Sequence, residues 1–321
     1  MTETLWIAFG MPLTRFGAMC ATSMMCVLLG AALFAREKRM RYGAFIRLAV
    51  LSVPLSWLCA RLLYVLANCT YYLTTLSNPA LALRFWDGGY SAAGAMLGLW
   101  LAAWLAAKWT HIPACDMLDA VSLGIPLGLL VERLSESGTS MGLGRAVSYA
   151  WLSFLGISDG MGDLVHPVYR YEAAAALVIF LVLAVLVLRK RGRTVPGDVT
   201  LILLILLGVT QVVLESLRND GHMVVHFVRI QQVVYLLESL LALLIYFRRA
   251  VKNAGMKKSR QLLLWLAALA CVALGILMEF RVDRGALKWL YYTVMALCMG
   301  GIAAMALHCR KQSQRKGRYS A

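Results

Sequence analysis

Apolar residues run in blocks of about twenty along this chain, close to the length that crosses a bilayer core as a helix. The blocks fall near residues 16–35, 44–66, 88–107, 116–134, 171–188, 199–217, 232–247, 261–279 and 288–307. The pattern predicts about nine transmembrane helices joined by short polar connections. One connection is long: residues 135–170, rich in Gly, Ser and Asp, with WLSFLGI in its middle. Its Trp and Phe predict an amphipathic turn at the membrane interface.

Composition sharpens this reading. Of 321 residues, 61% are hydrophobic and 15% are charged, which places the chain among polytopic all-α membrane proteins rather than soluble ones. The net charge of +16 raises nucleic acid as a partner, but its placement excludes that. The basic residues sit in REKRMR at 36–41, RKRGR at 189–193, RRAVKNAGMKKSR at 248–260 and HCRKQSQRKGR at 308–318, all at the ends of apolar blocks. With the N-terminus outside, all four clusters fall on the cytoplasmic side, beside anionic lipid headgroups. MTETLW lacks a basic leading region, so no cleavable signal peptide is expected. The eight cysteines show neither a CxxC pair nor a metal-like spacing with His, and no cofactor or metal is expected.

Charges inside apolar blocks are costly unless they face protein or water, so they point to a site. Arg47 lies near the end of its block and can snorkel. Arg61 is deeper and suits either an internal site or a pair with a buried acid. Glu132, Arg133 and Glu136 gather near the end of the fourth block, and Arg133 and Glu136 share a helix face. Two readings stand there: an ion pair bracing helices, or an arginine presented to a phosphate, whose oxygens its fork geometry matches. Gln211, Glu215 and Arg218 form one polar stripe on the sixth block, where Glu215 and Arg218 can pair. HPVYRYE at 166–172 opens the fifth block, with His166 and Pro167 at its cap and Glu172 in its first turn. Together these residues describe a pocket suited to a phospholipid headgroup.

Five stretches resemble one family in order and almost without gaps over residues 10–250, the prolipoprotein diacylglyceryl transferases. RFWDGGYSAAGAMLG at 84–98 is similar to the family's Trp-Asp-Gly-Gly stretch, and DAVSLGIPLGLLVERLSESGTSMGLGR at 119–145 to its signature. HPVYRYE, LLGVTQVVLESLRND and IQQVVYLLESL are similar to its His-Pro-x-x-x-Tyr-Glu, to its Arg-and-Glu stretch and to the opening of its last span. The resemblance implies a seven-helix bacterial inner-membrane enzyme. Such an enzyme moves the diacylglyceryl group of phosphatidylglycerol onto a prolipoprotein cysteine thiol and releases glycerol phosphate. It divides the chain into a transferase-like domain at 1–255 and a two-helix extension with a basic tail at 256–321.

Residue by residue, the resemblance assigns Arg133, Gly144, Arg145, Arg218, Arg61 and Tyr171 to substrate binding. It retains Glu215, His166 and Glu172. The family's histidine after Gly-Gly falls at Ala93, the acid of its Gly-Glu at Met141, two asparagines at Glu136 and Thr139, and an arginine at Gln211. Glu136 and Glu215 are then the candidate catalytic carboxylates, with Glu136 as a relocated acid or base. The expected partners are phosphatidylglycerol or another anionic phospholipid, and prolipoprotein signal peptides. A non-catalytic phospholipid- or lipoprotein-binding membrane protein is the alternative.

Overall fold

The computed structural model describes residues 4–8, 11–75, 80, 82, 84, 88–191, 193–220, 223–225, 228–285 and 287–315. Trp86 and Asp87 of the Gly-Gly stretch, Gly192 of the second basic cluster, His222, and residues 316–318 of the last basic cluster lie outside the described residues. Among those described, nine helices are long and apolar enough to span a membrane. They are α1 Arg15–Glu37, α2 Tyr42–Ala67, α3 Ala92–Thr110, α4 Ala114–Ser135, α5 Val168–Lys190, α6 Asp198–Leu217, α7 Ile230–Ala254, α8 Lys258–Arg284 and α9 Lys288–Arg315. The chain is thus an all-α polytopic membrane protein. Its few strands are short: β1 Thr4–Ala8, β2 Met11–Thr14, β3 Leu143–Ala146, β4 Ile157–Ser158, β5 Leu164–Pro167, β6 Val224–Val225 and β7 Val228–Arg229.

The chain divides into two compact units, Met1–Thr200 with Leu217–Gln231, and Leu201–Ser216 with Gln232–Ala321. In the first, α1 packs on α4 and α2 on α3 through small residues. A Cβ on Gly124 would overlap the Val27 carbonyl, and one on Gly98 the Leu55 carbonyl. Lipid tails are as apolar as leucine, so close backbone approach and dispersion, rather than water expulsion, hold these helices together. Ser91 caps α3, accepting from the Gly94 N–H at 3.2 Å.

Asp119 organises the opposite membrane end of this unit. It is fully buried in α4, and its carboxylate accepts from the Gly197 N–H at 2.8 Å, the Thr200 N–H at 2.8 Å and the Thr200 hydroxyl at 2.7 Å. These donors include otherwise unsatisfied N–H groups of the first turn of α6, where a negative charge also meets the helix dipole favourably. The Ser122 hydroxyl extends the network, donating to Thr200 Oγ1 at 3.1 Å and accepting from the Trp100 indole at 3.1 Å. Asp119→Ala is expected to destabilise the protein by about 2–4 kcal/mol, because three buried donors lose a charged acceptor. Thermal unfolding in detergent measures this, and an unchanged midpoint would show that water replaces the carboxylate there.

In the second unit, Gly208 of α6 lies against the Tyr235 carbonyl and Ser239 of α7. Gln232 Nε2 donates to the Val212 carbonyl at 3.0 Å and to Glu279 of α8 at 3.1 Å. Tyr292 of α9 donates to the Ser216 carbonyl at 3.2 Å. The α8–α9 hairpin is therefore tied by polar contacts to helices within the family-like region. The remaining face of α8 presents Leu262, Leu263, Leu266 and Leu269, an apolar surface suited to lipid.

Candidate functional site

At the end of the first unit where α4 stops and α5 starts, two connections are laced into one cap. In the 135–170 connection, β3 pairs antiparallel with β5, and β5 with β4. Gly144 forms a β-bridge with Arg218, and Asn219 N–H donates to the Leu143 carbonyl at 2.9 Å. Only glycine fits at 144: a Cβ would press on Val168 and on the carbonyls of His166 and Leu217. The predicted interfacial turn is a 3₁₀ segment, Ala150–Leu155, with Trp151 and Phe154 exposed.

This lacing brings charges from distant stretches together. Arg133 at the end of α4 places Nη1 at 2.6 Å from Glu136 Oε1, and Nε at 3.2 Å from Glu132 and 3.3 Å from Glu172. Arg218, just after α6, meets Glu136 and Glu172 as well. Its Nη1 lies 2.6 Å from Glu172, and its Nη2 lies 3.0 Å from Glu136 Oε2 and 2.8 Å from Asp220. Arg229 closes the chain, bonding Asp220 at 3.1 Å and the Arg218 and Asp220 carbonyls at 2.8 Å each. Arg133, Glu136, Glu172 and Arg218 are all buried. Burial alone would raise the Asp220 carboxyl. The Arg218 guanidinium beside it, its hydrogen bond, and those from the Gly142 N–H and Arg229, hold it well below the usual carboxylate range.

Arg133 is thus ion-paired with Glu132, Glu136 and Glu172 in this structure. Glu172, expected as a favourable charge near the start of α5, is instead a fully buried acid shared by Arg133 and Arg218. Among the described residues, Arg61 pairs with no acid and stands outside the cluster. Its guanidinium donates to the carbonyls of Ala82, Gly88 and Gly89 and lies over the Tyr64 and Tyr72 rings. It fastens the connection before α3 to α2. Arg47 behaves as expected, exposed and laid over Trp109 at 5.1 Å.

Tyr171 donates to the Leu155 carbonyl at 3.1 Å and lies 3.2 Å from His166 Nδ1, so it anchors the interfacial turn. Burial pushes the His166 imidazole below its ordinary value, towards the neutral form at pH 7. Arg145 stands half-buried on β3 beside Gly144. Gln211 and Glu215 are buried in the second unit. Ala93 is fully buried in α3, and Met141 sits half-buried in the turn that follows Glu136. Asp220 and Arg229 were not expected from the sequence. The one local signal was Asp220 two residues after Arg218 in a polar turn.

The family match found by comparison with known proteins includes the stretches that build this cap. Residues 4–248 match the family described as prolipoprotein diacylglyceryl transferase. A phosphatidylglycerol–prolipoprotein diacylglyceryl transferase of Clostridioides difficile (strain 630) is 27% identical over 223 residues, spanning 70% of this chain and 86% of the relative. Another protein of that name, from Clostridium novyi (strain NT), is 26% identical over 261 residues, 79% of this chain and 98% of the relative. A third, from Rhizobium meliloti (strain 1021), is 33% identical over 145 residues, 45% of this chain and 51% of the relative. With its signature stretches in order and most of its length matched, this chain belongs to the prolipoprotein diacylglyceryl transferase family.

Proposed function

We propose that this protein handles phosphatidylglycerol in the outer leaflet of a bacterial plasma membrane and transfers its diacylglyceryl group to a prolipoprotein cysteine. The observation that supports this reading is the convergence of Arg133, Glu136, Glu172 and Arg218 in one buried cluster, built by the stretches that match the family. In the step itself the thiol sulfur attacks the glyceryl carbon bonded to phosphate. The carbon–oxygen bond breaks, its electron pair leaves with glycerol phosphate, and the thiol proton passes to a carboxylate. Arg133 and Arg218 supply positive charge to the departing phosphate. Glu136 is the carboxylate proposed to take the proton, and Glu215 is the second candidate that the resemblance gives. Gly144 and Arg145 line the headgroup side, and Tyr171 and Arg61 hold the connections around it. The α8–α9 hairpin braces α6 and α7.

A second reading, a non-catalytic phospholipid-binding relative, is favoured by one specific observation. Glu136 already pairs with both arginines, while Ala93 and Met141 bring no proton-handling group. Membranes containing the full chain, phosphatidylglycerol and a lipobox peptide separate the two. Thioether product detected by mass supports transfer; retained phosphatidylglycerol with no product supports binding alone.

The proposed orientation puts the N-terminus outside and the basic C-terminus in the cytoplasm. A reporter active only in the cytoplasm, fused after Ala321, is expected to work. Activity from an export-dependent reporter at the same position would reverse the topology.

A further inference from the structure

We propose that Glu136 is the specificity-determining residue of the headgroup site. Its carboxylate holds the place of a phosphodiester between Arg133 and Arg218, so that phosphatidylglycerol binds only by displacing it. This rests on the reading of those two arginines as the phosphate-binding pair.

The seat of Glu136 is built, not incidental. The residue ends α4, with its N–H on the Arg133 carbonyl at 3.2 Å. Its own carbonyl accepts from the Thr139 N–H at 3.1 Å and from the Thr139 hydroxyl at 2.7 Å. Backbone and turn therefore aim the side chain inward. Gly142, at φ +72°, forms the floor, where a Cβ would overlap Glu136 Oε2 and press on Tyr169. The carboxylate then takes the contacts that two phosphate oxygens would take. Oε1 meets Arg133 Nη1 at 2.6 Å and Arg218 Nη2 at 3.2 Å, and Oε2 meets Arg218 Nη2 at 3.0 Å. One nitrogen of each guanidinium holds this carboxylate by charge-assisted contacts, the kind that also recognise a phosphate oxygen.

Charge accounting points the same way. The cluster sets the guanidiniums of Arg133, Arg218 and Arg229 against the carboxylates of Glu132, Glu136, Glu172 and Asp220. A phosphodiester entering beside Glu136 brings a second anion to the same two guanidiniums. With an amide at 136, a bound phosphodiester restores the balance that the protein now has. Glu136 matches the ligand in charge as well as position. Removing it leaves each arginine paired: Arg133 with Glu132 and Glu172, and Arg218 with Glu172 and Asp220. The fold is therefore expected to tolerate the change.

The test measures phosphatidylglycerol binding to the purified full chain in detergent, for the parent and for Glu136→Gln, Glu136→Asn and Glu136→Asp. Inorganic phosphate is run in parallel to separate a headgroup held as part of a lipid from a free anion. The two amide variants are expected to bind phosphatidylglycerol at least about tenfold more tightly, a change of roughly 1.4 kcal/mol. Glu136→Asp, which keeps the charge, is expected to stay near the parent. The same gain for inorganic phosphate alone would assign the site to a free anion and overturn the lipid specificity. Folded amide variants that bind as the parent does, or more weakly, overturn the proposal, as does an equal gain in Glu136→Asp. Thioether formation is scored separately. Tighter binding without product counts against transfer and leaves this inference standing. Product from the parent with no gain in binding from the amides does the reverse. Should Glu136→Asn fail to fold, the isosteric Glu136→Gln carries the measurement.

Discussion

Arg218→Ala is expected to destabilise the protein by about 3–5 kcal/mol, the range for breaking a buried ion pair by removing one partner. Arg218 touches Glu136, Glu172 and Asp220 at 2.6–3.0 Å, and its backbone bridges Gly144. Without its guanidinium, Asp220 keeps Arg229, and Glu136 and Glu172 keep Arg133, but each acid loses one cation. Truncation thus strips charge from three buried acids at once. Arg47→Ala is the control: that side chain is exposed and lies over Trp109, so a change within about 0.5 kcal/mol is expected. Thermal unfolding in detergent compares the two. Equal small shifts would mean that water enters the cluster and carries the charge. Lipid binding by an arginine variant must be read beside its unfolding curve, because these arginines brace the cap as well as face the proposed headgroup.

Turnover is the second large effect. The chain is expected to form thioether product about 10²–10⁴ times more slowly than the Clostridioides difficile relative assayed beside it, the range for losing one positioned base or charge-stabilising donor. By the resemblance, Ala93, Met141 and Gln211 stand where the family motif has three other groups, and such losses do not simply add. Restoring them is not a simple repair. Ala93 is fully buried, next to Gly94, which packs on the backbone of α2. An imidazole there must displace its neighbours, at about 1–3 kcal/mol for an overpacked core. Ala93→His with Met141→Glu and Gln211→Arg is therefore expected to gain turnover only at a visible loss of stability. Parent turnover equal to the relative's would sink this expectation. If such turnover were abolished by Glu136→Gln, Glu136 would act as the base once the headgroup has displaced it from the two arginines.

Some of the site was legible before any coordinates. Arg133 and Glu136 are three apart on a helix, and that spacing alone puts them on one face; the structure finds them at 2.6 Å. Arg47 near a block end read correctly as a surface cation. The carbonyl partners of Arg61 could not be read, because no residue pattern marks the backbone of a connection as an acceptor. Glu172 looked like a helix-dipole residue because its sequence neighbourhood shows only the start of α5. Its partner, Arg218, is 46 residues away.

The sequence by itself determined the number and place of the helices, the all-α membrane class and the family. These follow from local properties. In lipid a backbone must satisfy its hydrogen bonds within its own segment, so a block of about twenty apolar residues declares its helix without help from elsewhere. The tertiary structure alone decided how the charges pair. Glu136 meets Arg218 across 82 residues, and Asp119 meets Thr200 across 81. Such pairs form only where helix ends are drawn together by the β3–β5 pairing, the Gly144 bridge and the glycine crossings of the bundle. Spacing along a helix fixes which side chains share a face, but not which opposite charge another helix brings to it.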